Sequence, residues 1–153
     1  MKYLSFQFDI RQWILVTDWN PLTIWFYEEC YVRFSAEEYG TENLENRFVH
    51  LTNNSIGKYH ENQNCPTFEQ NMWRMEVFAQ YLEQQFGSGT FETKIKPQMK
   101  QIVIWALECV QDMVENRKGS HEFYGVDFMI DEDLNVWLIE INSSPDMEYS
   151  TVS

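Results

Sequence analysis

The stretch that most constrains the fold is FYGVDFMIDEDLNVWLIEINSSP, which occupies residues 123–145. It contains two short apolar runs, residues 124–130 and 136–141, separated by a polar loop. Both runs are rich in aromatic and β-branched side chains, a composition that predicts the two strands of a hairpin. Each run nevertheless contains one carboxylate, Asp127 in the first and Glu140 in the second. Such a carboxylate is costly unless it is paired or bound to a cation.

The two carboxylates are predicted to face each other across the hairpin. A four-residue loop at residues 132–135 would pair Asp131 with Val136. The same register places Asp127 directly opposite Glu140, and a two-residue loop would keep it. An odd-length loop would instead put Asp127 on the other face. Cross-strand neighbours have Cβ atoms about 4.5–5.5 Å apart, so the two charges would repel each other.

Two explanations are open for this predicted carboxylate pair. Asn142 follows Glu140 by two residues and therefore shares its face of the strand. Carboxylates and an amide oxygen are ligands that Mg²⁺ prefers, so these side chains and Asp127 would form a metal site. Alternatively, Arg or Lys side chains from elsewhere in the chain neutralise the two carboxylates.

The rest of the chain predicts more strands and two helices. Residues 8–17, 22–27 and 30–34 have the composition of short strands. Apolar residues at helical spacing predict helices at residues 67–86 and 99–116. The predicted core-facing side of the second helix comprises Ile102, Trp105, Ala106, Cys109, Val110 and Met113. This order predicts an α+β fold, with helices packed on one face of a largely antiparallel sheet.

Several polar residues have both an ordinary and a functional interpretation. Asp9 and Arg11 are two residues apart and share one face, for which a solvent-facing polar side is the simpler interpretation. Arg33 likewise fits an ordinary surface arginine. Residues 40–63 form an Asn-rich polar stretch that is typical of turns, although such loops also bind anions. Its His50 fits a structural histidine as well as a site residue.

Charge, apolar run length and cysteine content each exclude some classes of partner or cellular setting. The net charge of −13 disfavours nucleic acid or an anionic membrane surface as a direct partner. No apolar run reaches the roughly 18 residues of a transmembrane helix. Cys30, Cys65 and Cys109 are far apart and form no metal-binding pattern. They favour a reducing, cytoplasmic setting in which they are buried as small apolar residues.

Three motifs resemble those of one known family in the same order. FDIRQWILVTDWNPLTIWFYEECYVRFS begins at Phe8, RFVHLTNNSIGK at Arg47 and YGVDFMIDEDLNVWLIEINSSP at Tyr124. Together they resemble the tubulin–tyrosine ligase-like family, which uses the ATP-grasp fold. The sequences of these motifs are most similar to those of the glycylase branch, which attaches glycine to glutamate side chains of tubulin tails. The resemblance implies that residues 1–153 are a single partial domain, the C-terminal part of the catalytic domain without its N-terminal ATP-grasp subdomain.

The resemblance also implies roles for the hairpin and the arginines. Asp127, Glu140 and Asn142 would be the Mg²⁺ ligands, with Glu140 bridging two ions in a catalytic role. Arg11 and Arg33 would be catalytic in holding carboxylate or acyl-phosphate oxygens, for which their planar forks are suited.

Other residues are implied in substrate binding. Asp9 lies in the strand that contacts the nucleotide in the family, and Thr52 and Asn53 would contact its phosphates or ribose. Lys58 would bind the incoming amino acid. Gln7 stands at a nucleotide-binding position where the family has a lysine, so a positive charge is missing there.

The implied reaction is ATP-dependent ligation of glycine to tubulin. The γ-phosphate passes to a glutamate carboxylate, and the amine of glycine attacks the resulting acyl phosphate. The implied cofactor is Mg²⁺, ATP is a co-substrate, and tubulin or microtubule tails are the partner. The implied location is the cytoplasmic cytoskeleton, including the axoneme of a cilium or flagellum.

Two alternative functions remain at this point. One is a glutamylase or another amino-acid ligase of the same family. The other is a non-catalytic binding module that keeps the fold, which Gln7 and the missing subdomain favour. The chain alone is expected to be inactive and to expose apolar surface that the absent part would cover.

Overall fold

The structure is a computed structural model that describes residues 6–38, 72–115, 117–143 and 145. The strands are β1 (Phe6–Trp19), β2 (Leu22–Glu38), β3 (Met72–Arg74), β4 (Glu122–Ile130) and β5 (Val136–Asn142). The helices are α1 (Met75–Phe86) and α2 (Lys96–Gln111), and a π-helical segment (Phe91–Ile95) leads directly into α2. The strands form one five-stranded antiparallel sheet in the order β3-β2-β1-β4-β5. The predicted α+β class is therefore confirmed.

The hydrophobic core lies between the helices and one face of the sheet. Alternate strand residues enter it because side chains of a strand point to opposite faces in turn. The sheet contributes Phe8, Ile10, Ile14, Val16, Val32, Phe34, Val126, Phe128 and Ile130. The helices contribute Phe78, Leu82, Met99, Val103 and Leu107. Residues between these positions, such as Asp9, Arg11 and Asp127, therefore face away from the helices.

Several predicted elements have the wrong extent. The helix predicted at residues 99–116 is α2, which spans Lys96–Gln111. The predicted third strand at residues 30–34 is the second half of β2, which continues without a break. The predicted helix at residues 67–86 begins only at Met75, because Met72 pairs with Arg33 in the sheet. Strand pairing thus overrides the helical spacing of the apolar residues. Residues 67–71 lie outside the described part of the chain.

The predicted core-facing side of α2 is correct only in part, because Ile102 packs against the core. The residues that α2 buries form a stripe at i, i+4 and i+8, namely Met99, Val103 and Leu107. Trp105 is 58% exposed, and Met113, which follows the helix, is 85% exposed. The sequence of α2 is apolar on more than one side, so spacing alone did not identify the side that meets the sheet.

Two cysteines differ in their surroundings. Cys30 is buried as predicted, and this burial raises the pKa of its thiol from 9.0 to about 12. Cys109 is exposed, contrary to the prediction, because it lies on the solvent side of α2. Cys65 is outside the described residues.

Within the described ranges, no helix has the length and apolar character needed to cross a membrane.

The turn between β4 and β5 is organised by the carboxylate of Asp131. It accepts hydrogen bonds from the backbone N–H groups of Asp133, at 3.0 Å, and Asn135, at 2.8 Å. The Asn135 amide and the Trp137 indole also donate to it, each at 2.9 Å. Gln98 of α2 secures the end of the turn, because its Oε1 accepts from the backbone N–H of Val136 at 3.1 Å. The helix layer thus fixes where β5 begins.

Acidification is expected to weaken this turn. Hydrogen bonds from Trp137 and Asn135 lower the pKa of Asp131 from 3.8 to about 2. The unfolded chain therefore protonates this carboxyl first as the pH falls. The stability that Asp131 contributes is complete above about pH 4 and is lost between about pH 4 and about pH 2. Urea unfolding across this range should show a smaller pH dependence for Asp131→Asn than for the unmodified chain, and equal dependence would contradict this role.

Candidate active site

One row of residues crosses the sheet on the face that points away from the helices. From β3 to β5, its register partners are Arg74, Tyr31, Arg11, Asp127 and Glu140. Directly opposite residues of antiparallel strands share a face and lie close together. The strand order therefore brings Arg11 beside Asp127, although 116 positions separate them in the sequence.

Four buried charged residues form a charged quartet: Asp9, Arg11, Arg33 and Asp127. Arg33 makes a bidentate contact with Asp9, with Nε 2.8 Å from Oδ1, and its Nη2 also lies 2.9 Å from Asp127 Oδ2. Arg11 makes a second bidentate contact, donating from Nε to Asp127 Oδ1 and from Nη2 to Oδ2 at 3.0 Å. Two positive and two negative charges balance, which meets the requirement that buried charges be paired.

The quartet changes the interpretation of its members. None of the four residues is more than 8% exposed, so the solvent-facing interpretations of Asp9, Arg11 and Arg33 are wrong. Burial alone would lower the pKa of Arg33, but the hydrogen bond and charge of Asp9 outweigh it and hold that pKa above its usual value. Arg33 therefore stays charged, and the contacts with Asp9 and Asp127 hold both guanidinium groups in fixed positions before any ligand binds.

The turn that aligns β4 with β5 differs from the prediction. Ile130 pairs with Val136, so the loop has five residues, 131–135, where a four-residue loop was predicted. An odd-length loop shifts the register by one residue, which on its own would separate Asp127 from Glu140. Yet these two residues are register partners, as predicted.

A β-bulge in β5 reconciles the two observations. Phe128 pairs with Leu138, whereas the neighbouring Asp127 pairs with Glu140. Ile139 is therefore one extra residue on β5, and it restores the alignment that the odd loop removes. Bulges commonly re-aim a side chain near an active site. Here the bulge brings Glu140 opposite Asp127.

The hairpin residues have the donor atoms of a magnesium site. Glu140 is exposed at its register position opposite Asp127, and the amide of Asn142 donates to Glu140 Oε1 at 2.9 Å. Within the described ranges, no three His, Cys, Asp or Glu side chains form a metal cluster. The available set is two carboxylates and one amide. Mg²⁺ typically uses one or two protein carboxylates together with substrate phosphates, so this small set fits it.

The structure also bears on the second explanation for the carboxylate pair. Asp127 is neutralised by Arg11 and Arg33, as that explanation requires. No Arg or Lys contact is recorded for Glu140 among the described residues. The two explanations therefore apply to different members of the pair, and the metal assignment stays a prediction.

Of the remaining predicted site residues, Gln7 lies in β1 two residues before Asp9, and the others are outside the described chain. Gln7 donates from its backbone N–H to Ser35 Oγ at 3.1 Å, and its side-chain Nε2 lies 4.0 Å from Met129 Sδ. Thr52, Asn53 and Lys58 are outside the part of the chain that the structure describes, as is His50. Their roles stay predictions.

Sequence analysis missed an aromatic group beside the quartet. The ring of Trp13 lies 6.0 Å from that of Tyr31, 5.9 Å from that of Phe123 and 6.1 Å from that of Tyr27. Burial raises the pKa of the Tyr31 hydroxyl, against the opposing effect of Arg11. One signal was available, because Trp13 follows Arg11 by two residues and so continues its face of β1.

Comparison with known proteins identifies the family. The model of the tubulin-tyrosine ligase family matches residues 4–153. The chain belongs to the tubulin-tyrosine ligase family. The predicted family is therefore confirmed, and the antiparallel α+β sheet agrees with the ATP-grasp fold that the resemblance implied.

Several relatives within the tubulin-tyrosine ligase family are similar over most of this chain. It is 54% identical over 147 residues to tubulin glycylase 3C of Tetrahymena thermophila, covering 95% of this chain and 14% of that protein. It is 49% identical over 149 residues to the tubulin monoglycylase TTLL3 of Homo sapiens, covering 95% and 19%. Identity to the human protein monoglycylase TTLL8 is 47% over 148 residues, covering 95% and 17%. The chain thus spans less than a fifth of the length of these relatives.

Proposed function

We propose that this chain is part of the catalytic domain of an enzyme that ligates glycine to glutamate side chains of tubulin at the expense of ATP. The observation that carries the proposal is the contact between Arg11 and Asp127 beside Glu140. This contact supports the proposal because a guanidinium suited to binding an anion lies next to carboxylate oxygens suited to Mg²⁺ on one face of the sheet. The names of the relatives, tubulin glycylases and monoglycylases, support glycine as the donor and tubulin as the acceptor.

The proposed chemistry depends on charge stabilisation. Phosphoryl transfer leaves little covalent work for the protein, so catalysis consists mainly of positioning and neutralising negative charge. Asp127, Glu140 and Asn142 would hold Mg²⁺, which when bound neutralises charge on the nucleotide phosphates. Arg11 and Arg33 would orient the acceptor carboxylate and stabilise the oxygens of its acyl phosphate.

The charged quartet supports these arginine roles. A guanidinium that is already paired and buried loses little freedom when an anion arrives, and it acts in surroundings from which water is largely excluded. Asp127 Oδ2 contacts both arginines, whereas Oδ1 contacts only Arg11 Nε among the described residues, so Oδ1 keeps a lone pair that can accept a further ligand. Asp9 holds the Arg33 guanidinium in place through a bidentate contact. We therefore propose that Asp9 positions Arg33 in addition to its proposed role in nucleotide binding.

Residues outside the quartet complete the proposed site. We infer that Thr52 and Asn53 bind the nucleotide and that Lys58 binds the incoming amino acid. Gln7 would lie near the phosphates without supplying a charge. Residues 1–153 would form one partial domain that needs further sequence to enclose ATP, since the chain covers 19% or less of these three relatives. The proposed location is the cytoskeleton, in particular the axoneme of a cilium or flagellum.

One observation favours a second function. Gln7 is uncharged where the family has a lysine, which fits a module that keeps the fold and binds without turnover. The test is ATP-dependent incorporation of labelled glycine into tubulin by the complete protein that carries this chain. A glycine ligase incorporates the label, and a binding module does not. Residues 1–153 alone are expected to incorporate none.

A further inference from the structure

Gly125 of β4 lies at a crowded point of the proposed site. Its register partners are Trp13 on one side and Asn142 on the other. It is buried, and it precedes Asp127 by two residues, so it shares the face that carries the charged quartet. Glycine weakens a strand through backbone entropy and lost packing, so its presence here calls for a specific reason.

Space, and not backbone conformation, is that reason. Gly87, Gly89 and Gly119 have positive φ angles, and Gly125 is not among the glycines with this conformation. A Cβ atom at Gly125, however, would lie 2.9 Å from Arg11 Nη1 and 3.3 Å from Arg11 Cδ. A contact below 3.0 Å is closer than real Cβ atoms come to their neighbours.

Pro145 closes the same space from the other side. Its Cβ would lie 2.9 Å from a Cβ at Gly125. The missing side chain of Gly125 therefore leaves a slot, which Arg11 and Pro145 fill together. From this slot the Arg11 guanidinium reaches both oxygens of Asp127.

We propose that Gly125 is a positioning residue, whose lack of a side chain sets where the Arg11 guanidinium lies in the active site. The proposal rests on the function proposed above, because it assigns Gly125 an effect only through Arg11. In Gly125→Ala, the end of the flexible Arg11 side chain can move more easily than the ring of Pro145 can. We therefore expect the guanidinium to be displaced and the fold to be retained.

The expected result for Gly125→Ala in the complete protein is a kcat about 100-fold lower, because a displacement of about 1 Å can cost this much. The KM for ATP should change less than about threefold, since the displaced group acts on the acceptor carboxylate. The thermal unfolding midpoint should stay close to that of the unmodified protein.

Rescue by free guanidinium separates positioning from a general structural defect. Arg11→Ala leaves the slot empty, so added guanidinium at non-denaturing concentration should restore part of the lost activity. The double variant Arg11→Ala/Gly125→Ala fills the slot with a methyl group, so the same addition should restore none. Equal rescue of both variants overturns the proposal.

The remaining outcomes are equally informative. Unchanged turnover in Gly125→Ala, together with an inactive Arg11→Ala, overturns the positioning role and leaves the proposed function standing. Unchanged turnover in Arg11→Ala overturns both the positioning role of Gly125 and the role proposed for Arg11, whereas only an inactive unmodified protein overturns glycine ligation itself. If Gly125→Ala fails to fold while the double variant folds, the collision with Arg11 is supported. If neither variant folds, Gly125 is required by the backbone or by the close approach of Pro145 and not by Arg11, and the proposal is wrong.

Discussion

Replacing Arg11 by Ala is expected to abolish ligation in the complete protein while leaving its fold nearly intact. Removing one preorganised donor from a site of developing negative charge typically lowers kcat by about 10²–10³-fold. The fold survives because Asp127 keeps its contact with Arg33, at 2.9 Å. Steady-state ligation kinetics and a thermal unfolding curve of the same preparation measure the two effects together.

An exposed arginine provides the matched control for this substitution. Arg117 lies between α2 and β4, outside the charged quartet, and its side chain is exposed. Arg117→Ala removes the same positive charge from the chain and should leave turnover unchanged. If Arg11→Ala and Arg117→Ala have the same turnover, Arg11 has no catalytic role.

Replacing Arg33 by Met is expected to give the largest loss of stability. Arg33 contacts both carboxylates of the quartet, Asp9 and Asp127, whereas Arg11 contacts only Asp127 within the quartet, so removing Arg33 breaks more of the buried ion pairs than removing Arg11 does. Breaking a buried ion pair by removing one partner typically costs about 3–5 kcal/mol. The free energy of unfolding, measured in urea, should fall by this amount. Met is the replacement because it keeps most of the apolar volume of the arginine side chain, so the loss reports mainly on charge.

Two further variants test the electrostatic cause of this loss. Arg117→Met should change the unfolding free energy by no more than about 0.5 kcal/mol, since its side chain is exposed. Asp9→Asn removes the negative charge that is paired with Arg33. The double variant Asp9→Asn/Arg33→Met should therefore lose less unfolding free energy than the sum of the losses in the two single variants. An additive double variant would contradict direct coupling between these residues.

The sequence predicted the features that depend on local patterns. Runs of aromatic and β-branched residues predicted the strands, the three motifs predicted the family, and helical spacing predicted that α1 ends at residue 86. Gly87 ends this helix with a φ of 104°, and its N–H donates to the Glu83 carbonyl at 2.9 Å. The pairing of Asp127 with Glu140 was predicted for an incorrect reason, because a five-residue loop and a bulge at Ile139 together produce it.

The charged quartet could not be predicted because it depends on strand order. Arg11 meets Asp127 only because β1 lies between β2 and β4 in the sheet. Nothing near Arg11 in the sequence indicates this neighbour. The same limit applies to α2, where Trp105 and Leu107 are both apolar and only contact with the sheet decides that Leu107 is buried.

The most direct test of the proposed function is a competition between donor amino acids. The complete protein is supplied with tubulin, ATP and equal concentrations of differently labelled glycine and glutamate, and the labels on the tubulin tails are measured by mass spectrometry. We expect glycine on glutamate side chains, no incorporation without ATP, and loss of incorporation in Glu140→Gln. Incorporation of glutamate in place of glycine would contradict the proposed function, and full incorporation by Glu140→Gln would contradict the proposed role of Glu140.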